Sequence, residues 1–230
     1  MRLFLGRATE TSNTSDESCD AVEGGDGRSA ALPRPPSTQR QRIILVRHGQ
    51  GEHNVADHYW KTPDPKLTKR GEAQASRLRG HKLFSGADLV VCSPLSRAIQ
   101  TALAAFEAQP ATRFALSALL TERWSAPCDS GRPKSAIGTD FPMICGWEGF
   151  EELPEHWTPP SGSDRAGWRQ RVAAFAVWLH ARPERHIVCV GHSNFFAGVC
   201  GEHLANCEVL ELPGHSRFLA QRSRHELPVD

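Results

Sequence analysis

Residues 43–54, IILVRHGQGEHN, constrain the fold more than any other stretch: four apolar, mostly β-branched residues run straight into Arg47-His48-Gly49 and a polar turn. A short continuous apolar run closed by glycine reads as a strand buried on both faces, as in a parallel sheet flanked by helices. Ligands of such sheets gather beyond the carboxyl ends of the strands, so an arginine and a histidine placed there are positioned to do chemistry. Gly49 and Gly51 let the backbone turn tightly and leave amide N–H groups bare, which suits an anion approaching closely.

The same unit recurs along the chain. Leu89 to Cys92 forms a second apolar run, with Ser93 as the expected cap and Pro94 as the first residue of the following helix, and with Arg97 one turn inside it. Arg113 to Leu116 reads as a third strand, and Glu122 again follows directly on an apolar run. Ile187 to Val190 is a fourth, closed by a glycine, His192 and a Ser193 cap. Between these runs lie helical patterns: one from the Thr68 cap to Gly80, and one from Asp164 with Trp168, Val172, Phe175 and Leu179 on one face. NCEVLELPG near the end reads as an edge strand. The alternation predicts an α/β domain, a three-layer α/β/α sandwich with a largely parallel central sheet.

The expected domain occupies residues 42–222. Before it, residues 1–41 are rich in Ser, Thr, Gly, Pro and acids and then basic at RPPSTQRQR, with too little apolar surface to offset the entropy of ordering, so they are expected to be a disordered extension. Residues 125–165 hold many prolines and glycines without a clean period and read as a lid or binding loop. Residues 223–230 read as a polar tail.

Charge and cysteine usage narrow the function. A formal net charge of +1 gives no global field toward nucleic acid or an anionic membrane, and neither partner is expected. Any anion binding must be local. Seven cysteines, an odd count without CxxC pairs, argue for a reducing compartment, and a cytoplasmic location is expected. No window approaches the roughly 18 apolar residues of a membrane span. Cys128, beside Asp129 in a polar loop, is the one cysteine with a claim to reactivity; Cys92 and Cys189 sit in apolar runs.

Arg47, His48, Arg97, Glu122 and His192 all fall on one edge of the predicted sheet. Two arginines beside two histidines would repel and lose hydration unless an anion lies between them, and a phosphoryl group resolves the conflict because guanidinium forks match its oxygens. His48, as neutral imidazole, is placed to attack phosphorus, and Glu122, with its pKa raised by partial burial, to protonate the leaving oxygen. A metal site from His48, His53 and His58 is the alternative, but the spacing matches no familiar zinc pattern. No cofactor is expected.

These residues resemble the histidine phosphatase superfamily, which contains phosphoglycerate mutases, fructose-2,6-bisphosphatases and many broad phosphatases. RHGQGEHN at 47–54 is similar to its nucleophile motif, VCSPLSRAIQT at 91–101 to its second arginine block, ERWSAPCDSG at 122–131 to its proton-donor loop, and VCVGHSN at 188–194 to its second histidine block. NCE at 206–208 resembles a late element of the plant and fungal branch. The resemblance implies a phosphoglycerate mutase-like fold. It also implies His48 as the phosphorylated nucleophile, Arg47, Arg97 and His192 as the phosphate pocket, Asn54 as an added phosphate contact and Glu122 as the acid. Gly51 stands where many mutases carry a hydroxyl, and CDSGRPKS and FPMICGWEGFEELPEHW resemble the lid of phosphatase-like members. The expectation is therefore a metal-independent phosphatase acting on a small phosphorylated substrate, with a mutase or a catalytically silent phospholigand-binding module as the alternatives.

Overall fold

The computed structural model describes residues 41–106, 112–158 and 165–212. Five strands form one sheet: β1 Arg42–Arg47, β2 Leu89–Cys92, β3 Arg113–Leu116, β4 His186–Gly191 and β5 Val209–Glu211, in the order β3-β2-β4-β1-β5. All neighbours run parallel except β5, which pairs antiparallel with β1 through Leu45 and Leu210. The helices are α1 Lys69–Ser76, α2 Ser96–Phe106, α3 Lys134–Asp140, α4 Arg165–Ala181 and α5 Ser193–Cys200.

The apolar runs do pack on both faces, and the period-2 alternation of side chains sorts them. Ile44, Val46, Val90, Cys92, Val188 and Val190 meet Ala98, Ile99 and Ala102 of α2 and Ile137 of α3 on one side. Ile43, Leu45, Leu89, Val91, Ile187 and Cys189 meet Val172, Phe175 and Leu179 of α4 and Phe195 of α5 on the other. These are the three layers. Both parallel neighbours of β4 are in place along its length, so the loops after β1, β2 and β4 open on one edge of the sheet.

Several local expectations are corrected. The first helix ends at Ser76 and not beside Gly80, because Leu78 N and Arg79 N bond back three residues to Ala75 O and Ser76 O, tightening the last turn; Gly80 then turns the chain at φ +69°. The second helix begins at Ser96, two residues after Pro94. Ser93 Oγ accepts from Leu95 N instead of capping the helix, and the carboxylate of Asp64 takes that role, accepting from Ser96 N at 2.7 Å and Ser96 Oγ at 2.6 Å. His192, not Ser193, stands at the N-cap position of α5.

The 125–165 segment is not irregular throughout. Its described part holds the 3₁₀ turns Pro127–Asp129 and Pro142–Gly146 as well as α3, and buries Ile137, Ile144, Phe150, Leu153 and Trp157 in the α2-side core. Those apolar residues are 3 to 7 apart, so no single period betrays them. Gln41, counted with the disordered extension, is held by the carbonyls of Leu179, Arg182 and Glu184 at 3.3, 2.8 and 3.0 Å. The rest of that expected extension and the 223–230 tail lie outside the described residues. No helix among the described residues is long and apolar enough to cross a membrane.

Candidate active site

The loop that follows β1 is tied to its surroundings by backbone. His48 N donates to Gly191 O at 3.0 Å, Gly49 N to Thr101 Oγ1 at 3.0 Å, and Gly51 N to Asn54 Oδ1 at 2.9 Å. Gly49 and Gly71 touch so closely that a Cβ on Gly49 would sit 2.6 Å from Gly71 O, and one on Gly71 only 2.1 Å from Gln50 O. The glycines are thus required by contact between two backbones. From the C-terminal side, Cys207 N donates to Arg47 O at 3.1 Å and Asn206 Nδ2 to His48 O at 3.1 Å.

This clamping fixes the His48 ring. Its Nδ1 bonds the carbonyl of Gly49 at 2.7 Å; a carbonyl only accepts, so Nδ1 carries the proton and the lone pair lies on Nε2. His48 is buried, and burial together with the positive charges of Arg97 and Arg47 lowers its pKa well below the ordinary imidazole value, so the ring is neutral at physiological pH. The His192 ring lies 5.1 Å from that of His48 and the His53 ring 5.7 Å on. Burial and the same two arginines lower His192 well below its ordinary value and His53 to about 3. His192 Nε2 shares a 2.8 Å hydrogen bond with Ser93 Oγ. Ser93 Oγ also accepts from Leu95 N, and the tautomer of His192 in which Nε2 takes the hydroxyl proton carries its own proton on Nδ1.

Arg47 donates Nη1 to Leu204 O at 2.8 Å. Arg97, fully buried one residue into α2, donates Nη1 to Cys128 O at 2.9 Å and Nη2 to Asp129 Oδ1 at 3.2 Å. Among the described residues, Arg47 Nε, Arg97 Nε, His53 Nδ1 and His192 Nδ1 are all buried without a hydrogen-bond partner. A buried donor without a partner costs about 1–3 kcal/mol, and the two guanidinium Nε–H groups, on side chains whose positive charges perturb each other, are donors that an anion between them would satisfy.

Glu122 stands after the 3₁₀ turn Ala118–Leu120 and reaches across to α5. Its Oε1 accepts from Arg123 N at 2.7 Å and Phe195 N at 2.9 Å, and its Oε2 from Asn194 N at 3.2 Å. Burial, and then the charge of Asp129, raise its pKa from the ordinary glutamate value despite those amides. Arg171 of α4 holds the backbone beneath it, donating to the carbonyls of Thr121 and, at 3.0 Å, Glu122, with its guanidinium over the Phe195 ring.

The structure therefore brings Arg47, His48, Arg97, Glu122 and His192 to one sheet edge. Asn54 is set apart: it is exposed, and its Oδ1 closes the loop by accepting from Gly51 N and Asn206 Nδ2. Cys128 is buried with its thiol pushed up to about 11 by desolvation, which makes it a poor nucleophile. His58 lies against Tyr59, 4.1 Å between rings, and among the described residues no three His, Cys, Asp or Glu side chains gather as a metal would need. Sequence reading missed His53 as a pocket donor, and also Thr101, Asp129 and Arg171. Arg171 carried a signal: it is three residues after Trp168 and four before Phe175, a charge on the buried face of α4.

Comparison with known proteins identifies the family and the fold. A phosphoglycerate mutase-like protein of Arabidopsis thaliana is 29% identical over 228 residues, covering 76% of this chain and 84% of its own. An adenosylcobalamin/alpha-ribazole phosphatase of Salmonella typhimurium is 37% identical over 155 residues, covering 66% and 73%. The crystal structure of the alpha-ribazole phosphatase from Shigella flexneri matches the fold with a TM-score of 0.51 at 23% identity, over 74% of this chain and 89% of its own. The family model for the histidine phosphatase superfamily (branch 1) matches residues 43–214, a span that runs from β1 past β5, and the chain belongs to that superfamily.

Proposed function

We propose that this protein is a metal-independent phosphatase that hydrolyses phosphate monoesters through a phosphohistidine on His48. The observation that carries the reading is the His48 ring, neutral and with Nδ1–H committed to Gly49 O, so that a lone pair on Nε2 is available beside two arginines. In the first step Nε2 attacks phosphorus while the ester P–O bond breaks. The proton of the Glu122 carboxyl passes to the departing oxygen. Arg47, Arg97 and His192 donate to the equatorial oxygens through the nitrogens that otherwise lack partners. In the second step the Glu122 carboxylate takes a proton from water, the oxygen attacks phosphorus, and the P–N bond breaks to release inorganic phosphate and free imidazole. Asn54 adds a contact through its Nδ2.

Relatives named phosphatase and relatives named phosphoglycerate mutase-like both support phosphoryl transfer and a small phosphorylated substrate. Hydrolysis is favoured over return of the phosphoryl group to substrate because CDSGRPKS and FPMICGWEGFEELPEHW resemble the lid of phosphatase-like members. All six cysteines among the described residues are free, which supports a reducing, cytoplasmic setting.

The test is hydrolysis of p-nitrophenyl phosphate by wild type and His48→Ala in EDTA from acid to neutral pH. Turnover that survives EDTA and disappears in the mutant is expected. Loss of activity in EDTA that a divalent ion restores would sink the metal-free mechanism, and a requirement for a bisphosphate primer would identify a mutase.

A further inference from the structure

Arg97 does not lie free in its pocket. Cys128 O accepts from one arm of its guanidinium and the Asp129 carboxylate from the other, and Nε is the guanidinium nitrogen with no partner at all. Asp129 is itself anchored: Oδ2 accepts from Ser125 N at 3.0 Å and Ser125 Oγ at 2.8 Å, and the side chain is buried at 4% exposure. The same short turn, Pro127–Asp129, thus supplies both acceptors that orient the guanidinium, and it begins five residues after Glu122. An acid held against the phosphate-binding arginine makes little sense as stabilisation alone. A buried pair loses about as much hydration as it gains in attraction, and this carboxylate opposes any anion that enters.

We propose that Asp129 is a positioning residue for phosphoryl transfer, gripping Arg97 so that its Nε edge addresses the transferring group, and holding a second carboxylate on the Glu122 side of the site. The role rests on the phosphatase reading above. Glu122 faces the charges of Asp129 and Arg97 from the 97–129 side, Arg47 from β1 and Arg171 from α4, with Cys128 close by; its direct donors are the amides of Arg123, Asn194 and Phe195 and the side-chain amide of Asn194. Asp129 is the one carboxylate in that set. Burial acts on Glu122 in the same direction, so removing the Asp129 charge lowers the acid's pKa without abolishing its elevation.

The experiment compares wild type, Asp129→Asn, Asp129→Glu and His48→Ala. Its readouts are calorimetric titration with inorganic phosphate and pH–rate profiles on glycerol phosphate, whose alkoxide needs a proton to leave. Asp129→Asn is expected to bind phosphate about threefold more tightly, since a like charge has left the pocket, yet to turn over glycerol phosphate about tenfold more slowly. The alkaline limb of its profile is expected to move to lower pH by about half a unit, because Glu122 gives up its proton earlier. Asp129→Glu, which keeps the charge, retains the wild-type limb. Should Asp129→Asn fail to fold, Asp129→Ser is neutral and smaller and carries the same signs. Wild-type turnover and limb in the neutral variant, with His48→Ala inactive, overturn the proposal and leave the phosphatase reading standing. Weaker phosphate binding with an unmoved limb marks Asp129 as mere scaffolding and also overturns it. If wild type hydrolyses no ester, the phosphatase reading fails and the phosphate titration decides alone: tighter binding by Asp129→Asn supports the placement of the Asp129 charge against the anion site, and unchanged or weaker binding overturns it.

Discussion

Glu122 Oε1 accepts the backbone N–H of Phe195 at 2.9 Å, so the candidate acid is also the carboxylate at the N-terminus of α5. Two influences meet there. The helix amides favour the ionised form, whereas burial and Asp129 favour the protonated one, and the second pair prevails. Glu122→Gln keeps an acceptor for Phe195 but has no proton to give. Its kcat on glycerol phosphate is expected to fall about a hundredfold, against less than about tenfold on p-nitrophenyl phosphate, whose leaving group needs little help. Equal losses on both esters in steady-state assays would remove Glu122 from the role of acid.

The same elevation makes a claim about stability. A carboxyl whose folded pKa lies above its ordinary value of 4.5 holds a proton that the unfolded chain has already released. Its contribution is fully present below the unfolded pKa and is lost as pH rises through the folded one. The melting temperature of wild type relative to Glu122→Gln is therefore expected to decline between about pH 4.5 and neutrality, measured by circular dichroism across that range. A gap that stays constant with pH would show Glu122 ionised throughout.

Gly71 is expected to tolerate nothing larger. A Cβ there would meet Gln50 O at 2.1 Å, backbone against backbone, so Gly71→Ala must move α1 away from the loop carrying His48. The expected cost is about 2 kcal/mol in urea unfolding, with a fall in kcat/KM as the loop shifts. Gly146, where an added Cβ meets nothing within 4 Å, is the control: Gly146→Ala leaves both unchanged.

Arg171 supports Glu122 from below without reaching the pocket. Arg171→Met removes donors from the carbonyls of Thr121 and Glu122 and is expected to cost about 1–3 kcal/mol of stability. It should also lower kcat on glycerol phosphate. Combined with Glu122→Gln, it is expected to lower kcat little further, because both changes act through one carboxyl. Additive losses in the double mutant would give Arg171 a separate function.

Much of this arrangement could be read from residues alone because the parallel sheet needs continuous apolar runs, and whatever follows such a run must lie at one edge. That logic located Arg47, His48, Arg97, Glu122 and His192. It failed for side chains whose position depends on contacts distant in sequence. Asp64 caps a helix that begins 32 residues later, and no local pattern marks it. Asp129 meets Arg97 across 32 residues within a loop that has no period. The 125–158 segment showed no period because its buried residues follow the shape of the α2-side core and not the pitch of a helix. The loop-closing bonds of Asn54 Oδ1 with Gly51 N and Asn206 Nδ2 likewise had no local signature.

The position of β1 bears on how the chain comes off the ribosome. The strand that delivers His48 is finished by residue 47, yet its two neighbours, β4 and β5, span 186–191 and 209–211. Asn206, Cys207 and Glu208, which clamp the backbone of Arg47 and His48, are synthesised after β4. During translation Ile43, Ile44, Leu45 and Val46 must wait, unpaired, while some 140 residues are added. The nascent chain thus has no assembled candidate nucleophile until the fold is nearly complete, and four apolar strand residues wait for partners made more than a hundred residues later.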